Sequence, residues 1–212
     1  MVLWRRWVRD TAGATMVEFS LVAGLLFFLL FAAVEGALLL MWWNQTEKAV
    51  QAASRLLVVS PPAVAGLPAT RGKNPALDST TIRFGAGCEA QPSPCAPVAV
   101  ATCQLDLSSG ATTCANVQAA QRAVARMRAL SPLALRADGG GVVTFTYEDT
   151  GLGFVGGPYI PIVEVRVQDL RYRLIAMAGL SQLFGVTTGP EVAFPPIAAT
   201  LIGEDLNHGA PG

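Results

Sequence analysis

The sequence predicts an α+β protein. One long N-terminal helix crosses a membrane, runs on past it and packs on a small antiparallel-sheet domain with one or two further helices. Three observations carry this. Residues 19–34, FSLVAGLLFFLLFAAV, hold no charge, and after Glu35 the run GALLLMWWNQT is uncharged again. The stretch IVEVRVQDLRYRL opens with strict alternation, Val163, Val165 and Val167 on one side and Glu164, Arg166 and Gln168 on the other, as a half-buried strand requires. Between strand-like runs lies ANVQAAQRAVARMRAL, with apolar residues at helical spacing. Strands and helices in that order favour an antiparallel sheet with helices packed on it.

The apolar run is long enough to span a bilayer, which takes ~20 residues of helix. A glutamate at mid-membrane costs about 3 kcal/mol, while each Leu, Val or Phe returns roughly 0.3–0.6 kcal/mol. About a dozen such side chains outweigh Glu35 on that scale. Arg5, Arg6 and Arg9 precede the run, whereas Lys48 and Arg55 follow it mixed with Glu47, so the positive-inside rule keeps the N-terminus in the cytoplasm. The span is expected over about 19–43. Trp42 and Trp43 are placed for an interfacial belt on the outer side, Trp4 and Trp7 on the inner. A cleaved secretory signal would have a shorter core followed by a small-residue site, and neither is present.

The helix is expected to continue as an amphipathic extension over 44–59, with Ala49, Ala53, Leu56 and Leu57 on one face and Gln45, Lys48, Gln51 and Arg55 largely off it. Ser60-Pro61-Pro62 ends it. From Ala14 to Val59 it would measure ~69 Å, of which the hydrocarbon takes ~30 Å. The rest is expected to pack on the outer domain, since Leu56 to Val59 would otherwise be an exposed apolar patch.

Residues 60–79 read as a linker by their Pro and Gly content. The outer domain then occupies 80–212. TTIRF and VAVATCQLDL are expected strands. The helix over 115–130 turns Val117, Ala120, Val124 and Met127 one way, and Arg122, Arg126 and Arg128 are expected on a solvated face. VVTFTYED is a strand after the turn DGGG. VAFPPIAATLI is an edge strand, because Pro195-Pro196 cannot sit in a central one.

Four cysteines, Cys88, Cys95, Cys103 and Cys114, cluster in one short span. Their even number in a chain with a membrane-entry signal points to disulfides and an oxidising compartment. CEAQPSPC would close a small loop if Cys88 pairs with Cys95, and Cys103 with Cys114 could staple an irregular hairpin. Three connectivities remain open.

Formal net charge is zero, so there is no basic footprint for nucleic acid. Gly151, Gly153 and Gly156 match G-x-G-x-x-G, but Gly157-Pro158-Tyr159-Ile160-Pro161 follows where a dinucleotide site needs a helix, so a hairpin loop is expected. His208, the lone histidine, lies in a polar tail and has no metal or triad partners. Glu148-Asp149 and Glu204-Asp205 are neighbours in sequence, and neighbours on a strand point to opposite faces. No enzyme, metal or cofactor is expected.

Glu18, in GATMVEF, stands where the chain enters the apolar run. Two roles fit it. At an interface near a helix N-terminus a carboxylate is favoured by ~0.3–1 kcal/mol. Alternatively, if the chain is cut after Gly13, Ala14 becomes a terminus with an amine of pKa near 8, one helical turn from Glu18. Amine and carboxylate would neutralise each other within one chain or between packed helices.

Arginines, a glycine, A-T-M-V-E-F and a long apolar helix resemble the N-terminus of a type IV-like prepilin, closest to the TadE-like group, pseudopilins of the tight-adherence (Flp) pilus system. FAAVEGALLLMWWNQTEKAVQAASR resembles the group's second glutamate and its Ala-rich continuation, so the resemblance covers residues 5 to about 58. Trp42-Trp43 and the cysteine-bearing outer domain depart from it. The resemblance implies a short leader over 1–13, cleavage between Gly13 and Ala14 by a prepilin peptidase, and amine pairing at Glu18 with the aromatic Phe19 beside it. It implies a helix contact within the membrane at Glu35. Partners would be other pilin or pseudopilin subunits through the N-terminal helix, the peptidase and an inner-membrane assembly platform. The protein would sit in the inner membrane with its C-terminal domain in the periplasm, and could enter an extracellular pilus. The alternative is an uncleaved, signal-anchored periplasmic binding or enzymatic domain.

Overall fold

The computed structural model describes residues 12–136, 140–175 and 191–203. The leader with Arg5, Arg6, Arg9, Trp4 and Trp7, and the tail with Glu204, Asp205 and His208, lie outside the described residues. Two compact units are present. Among the described residues the first holds 12–41 with 173–175 and Glu191, and the second holds 42–136, 140–172 and 192–203.

Helix α1 runs Ala12–Leu57 without a break. In the first unit its side chains from Thr15 to Val34 are exposed except at Ala23, where exposure is partial. Met16 is 79% and Phe19 74% exposed. A mean hydropathy of 2.4 with nothing buried inside the protein marks a stretch that water does not solvate well. Its ~20 residues measure ~30 Å, the thickness of a hydrocarbon core.

In the second unit the C-terminal part of α1 buries Thr46, Ala49, Val50, Ala53, Ser54 and Leu57, and Val58 just past its end is buried too. These recur at steps of three and four, so one stripe of the helix faces the core. Packing on the domain therefore holds as expected. The stripe is rotated from the expected one, however: Leu56 is only half-buried and Val50 replaces it. Trp42 and Trp43 also differ from a free interfacial belt. Trp42 meets Tyr172 edge-on at 4.7 Å, Trp43 tilts against Phe194 at 5.7 Å, and Trp43 Nε1 donates to Glu47 Oε1 at 2.9 Å. Edge-on contacts of this kind add ~0.5–1.5 kcal/mol beyond area burial.

Four strands form an antiparallel sheet: β1 (Ala101–Asp106), β2 (Val142–Asp149), β3 (Pro161–Gln168) and β6 (Ile197–Ile202), in the order β1-β2-β3-β6. Two short strands, β4 (Arg171–Arg173) and β5 (Glu191–Ala193), pair separately. The register aligns Cys103, Phe145, Val165 and Ala199 across the sheet. The alternation read in β3 holds, with Val163, Val165 and Val167 buried. The segment VAFPPIAATLI divides at Pro195-Pro196: β6 is an edge strand as expected, but Val192-Ala193 belong to β5.

Helix α2 (Val117–Leu130) begins at Asn116, whose side chain accepts the Ala119 N–H at 3.1 Å. That is a standard N-cap bond. Its core face is Ala119, Ala120, Ala123, Val124 and Met127. Val117, expected on that face, is 40% exposed, because at 3.6 residues per turn it falls to one side of the stripe centred on Ala120, Ala123 and Met127. Arg128 also departs from a solvated face: its Nη2 donates to Leu107 O at 2.8 Å and its Nε to Leu135 O at 3.1 Å.

Residues 60–79 contain no helix or strand, yet they are bound to the domain. Ala63 and Val64 enter the main core, and the Ala63 N–H donates to the Tyr147 phenol oxygen at 3.1 Å. Burial pushes the Tyr147 hydroxyl's pKa up, and the Ala63 bond only partly offsets this. Arg71 is 2% exposed, and its Nη1 donates to Asp149 Oδ2 at 2.6 Å while its Nη2 contacts Asp149 Oδ1. The guanidinium also lies over the Tyr159 ring, 4.9 Å from its centroid. Burial raises the Asp149 carboxyl, but hydrogen bonds from Arg71, Gly151 and Val98, together with the Arg71 charge, outweigh it and hold the pKa below its ordinary value.

The disulfides are Cys88–Cys95 and Cys103–Cys114. The first supports a small separate cluster with Ile82 and Val155. The second staples the hairpin in which Leu105 bridges Thr112. At that hairpin's turn the Ser108 hydroxyl and the Ser109 backbone N–H lead a set of bonds that lowers Asp106 to about 2. TTIRF is not a strand: Asp78 accepts both the Thr80 N–H and hydroxyl, and the Thr81 N–H bonds back to Asp78 O, which curls the chain into a turn. The strand expected over 98–107 is confined to β1.

The loop Gly151–Gly156 joins β2 to its antiparallel neighbour β3, as a hairpin connection. Gly151, Gly153 and Gly156 all have positive φ, which suits glycine, and strand β3, not the helix that a phosphate-binding turn needs, follows them.

Asp149→Ala would leave the Arg71 charge buried and unpaired, at a cost of about 3 kcal/mol in denaturant unfolding of the full chain in detergent. The depressed carboxyl stabilises the fold fully above its unfolded pKa, ordinarily near 3.8, and that contribution is lost as pH falls through the lower folded value. Asp149→Asn should therefore remove part of the acid sensitivity below about pH 4. The paired substitution Cys103→Ser with Cys114→Ser should lower unfolding free energy by about 2–4 kcal/mol. Non-reducing peptide mapping of the native protein should show the 88–95 and 103–114 pairs and no free thiol.

Candidate assembly site on the N-terminal helix

Gly13, Glu18, Phe19 and Glu35 all lie on α1, whose continuity comes from a run of good helix formers with no proline before Pro61. Gly13 sits in the first turn, and a Cβ added there would meet nothing within 4 Å. Neither sterics nor backbone angle requires a glycine at this position. In a helix it costs roughly 0.5–1 kcal/mol relative to Ala, which weakens the turn that carries the Gly13–Ala14 bond.

Ala14 is helical in the backbone, four residues before Glu18. Positions i and i+4 share a face about one turn apart. Glu18 is exposed, as are Phe19 and the side chains around them. The Ser20 hydroxyl bonds to Val17 O at 2.9 Å, so it places no polar group against Glu18. A new amine at Ala14 would stand one turn below the carboxylate, with apolar side chains on either side. An exposed apolar helix holding one carboxylate can pack only where that charge finds a counter-ion or a proton.

Glu35 has a different setting. It is 5% exposed, among helix neighbours that are mostly open, and its Oε1 accepts the Ile175 N–H at 2.8 Å. Both residues belong to the first unit. Within this chain the Glu35 carboxylate thus meets a backbone donor. No local pattern could have revealed this, since the donor is 140 residues away.

The structure brings Gly13, Ala14, Glu18 and Phe19 together within about two turns of helix, and sets Glu35 about five turns further on. The four cysteines belong to the outer domain and share no site with them. Among the described residues no group of His, Cys, Asp and Glu could hold a metal ion. Arg71 and Asp149 were missed in the sequence: the arginine sits in a Pro- and Gly-rich stretch that reads as solvent-exposed, and its partner is 78 residues away.

No curated protein and no solved structure matches the chain. Residues 13–55 match the family model described as TadE-like protein, so the resemblance carried by GATMVEF and the helix behind it holds over the segment that begins at Gly13.

Proposed function

We propose that this protein is a minor pilin-like (pseudopilin) structural subunit in the assembly of a tight-adherence, type IV-like pilus. One observation carries the reading: a glycine, then a glutamate five residues on, at the head of an exposed apolar helix within a TadE-like segment. Cleavage after Gly13 would leave Ala14 as the new terminus. Its amine would neutralise Glu18 of the same or a neighbouring chain. In the low dielectric of packed helices such a pair sets register more than it adds stability.

The protein would first sit as a single-pass inner-membrane protein, N-terminus in the cytoplasm and outer domain in the periplasm. Positive charge at Arg5, Arg6 and Arg9 supports that orientation. The disulfides support an oxidising outer compartment. Its partners would be pilin helices packing on the Met16–Val34 stretch, a prepilin peptidase and the inner-membrane assembly platform. Its work would be structural, in priming, capping or decorating a filament.

The test is the mass of the mature N-terminus in cells with and without the prepilin peptidase. A chain beginning at Ala14 only when the peptidase is present is expected. A chain beginning at Met1 in both would sink the reading and favour an anchored periplasmic domain. Glu18→Ala should abolish filament assembly while both disulfides still form. Glu35→Ala should leave cleavage at Gly13 unchanged, because its bond to Ile175 lies about five turns from the cut.

A further inference from the structure

We infer that the outer part of α1 and the adjoining surface of α2 form a docking groove for a carboxylate-bearing amphipathic helix from a different protein. The groove measures about 500 Å³ and is lined by Lys48, Gln51, Ala52, Arg55 and Leu56 of α1, Val59 just past its end, and Arg126 of α2. It lies wholly within the second unit. The α1 residues recur at steps of three and four, so they form one continuous helix face. Ala49, Ala53 and Leu57 are buried in the core on a neighbouring face of the same helix. Ala52, Leu56 and Val59 make an apolar floor, with Val59 53% exposed.

Charge complementarity identifies the occupant. Lys48, Arg55 and Arg126 surround the floor, and no carboxylate lines the groove. Three other cations of the domain are engaged within it: Arg71 with Asp149, Arg166 with Glu164, Arg128 with the carbonyls of Leu107 and Leu135. Glu47, the nearest acid in sequence to Lys48, accepts the Trp43 indole N–H. Among the described residues, three cations thus flank an apolar strip without an ion pair. A partner that fits must present both acids and apolar side chains, as a helix laid in a groove does.

The spacing specifies more. Lys48 and Arg55 are seven residues apart, so the cations lie ~10 Å apart along the helix. Carboxylates at i and i+7 of a second helix have the same separation, with apolar residues between them to meet the floor. Anionic lipid fits less well. Trp43 closes the apolar run, and Arg55 is ~18 Å further along the helix. A headgroup layer is only about 5–8 Å thick on each side. A second copy of this chain fits less well too: α1 holds Glu18, Glu35 and Glu47, no two of them seven apart, and α2 holds no acid. The groove is built by residues beyond the apolar span, so the inference stands whether or not the filament reading holds.

The test places a photo-reactive residue at Ala52 of the full chain in native membranes and maps the adduct by mass. The expected adduct is a peptide of another protein with two carboxylates seven residues apart. Lys48→Glu with Arg55→Glu should cut its yield about tenfold or more, because like charges would then face each other. Arg126→Glu should act in the same direction from the other helix, and lysines at the two partner carboxylates should restore the yield in the double variant. An adduct with lipid, with this chain, or with a peptide lacking those carboxylates would overturn the inference, as would no adduct or one indifferent to charge reversal. Disulfide mapping on the same samples checks folding. Their N-terminal mass reports cleavage at Gly13 separately, so the two proposals fail independently.

Discussion

Between Met16 and Val34 one helix presents apolar side chains on all sides, and among the described residues most of them are uncovered. The rest of the structure depends on that constraint. A stretch of this kind is stable only in lipid or among other apolar helices. The same continuous helix carries, beyond Trp43, a stripe that the outer domain buries. Its single backbone thus meets two environments, and its side chains change accordingly. Large residues point everywhere in the first part. In the second, Ala49, Ala53 and Ser54 lie on the face that contributes to the core.

The carboxylates follow from the same constraint. Burying a charge without a partner is costly, so each glutamate of α1 calls for one. Glu35 has a backbone N–H at Ile175, and Glu47 has the Trp43 indole. Glu18 is exposed, at the end of the helix where the TadE-like match begins. It is the glutamate for which cleavage would supply a cation.

What could be read in the sequence is what depends on local period. The Val163–Val167 alternation, the apolar run and the α2 stripe are repeats of two or about four residues, and burial enforces them directly. Glycines that need positive φ marked the β2–β3 connection for the same reason. The misreadings have a different cause. Thr80–Phe84 has strand-forming residues, but Asp78 offers hydrogen bonds that bend the chain, and a short side chain two residues upstream outcompeted propensity. Residues 60–79 have the composition of a spacer, and partners distant in sequence, such as Asp149 and the Tyr147 hydroxyl at 78 and 84 residues, reveal that they are packed. The candidate site divides the same way. Gly13, Glu18 and Phe19 form a contiguous pattern, whereas the donor to Glu35 comes from far along the chain.

The bond between the Ala63 N–H and the Tyr147 hydroxyl also has a mechanical meaning. Past Pro61-Pro62 it is an early point where the chain leaving α1 is fastened to the sheet, and Tyr147 belongs to β2, an interior strand with ladders on both sides. A pull transmitted along the chain from α1 would therefore reach a strand that cannot peel away from an edge. That strand could leave only by shearing two rows of hydrogen bonds at once, those to β1 and those to β3, so the single bond from Ala63 would give way first and the sheet would stay whole.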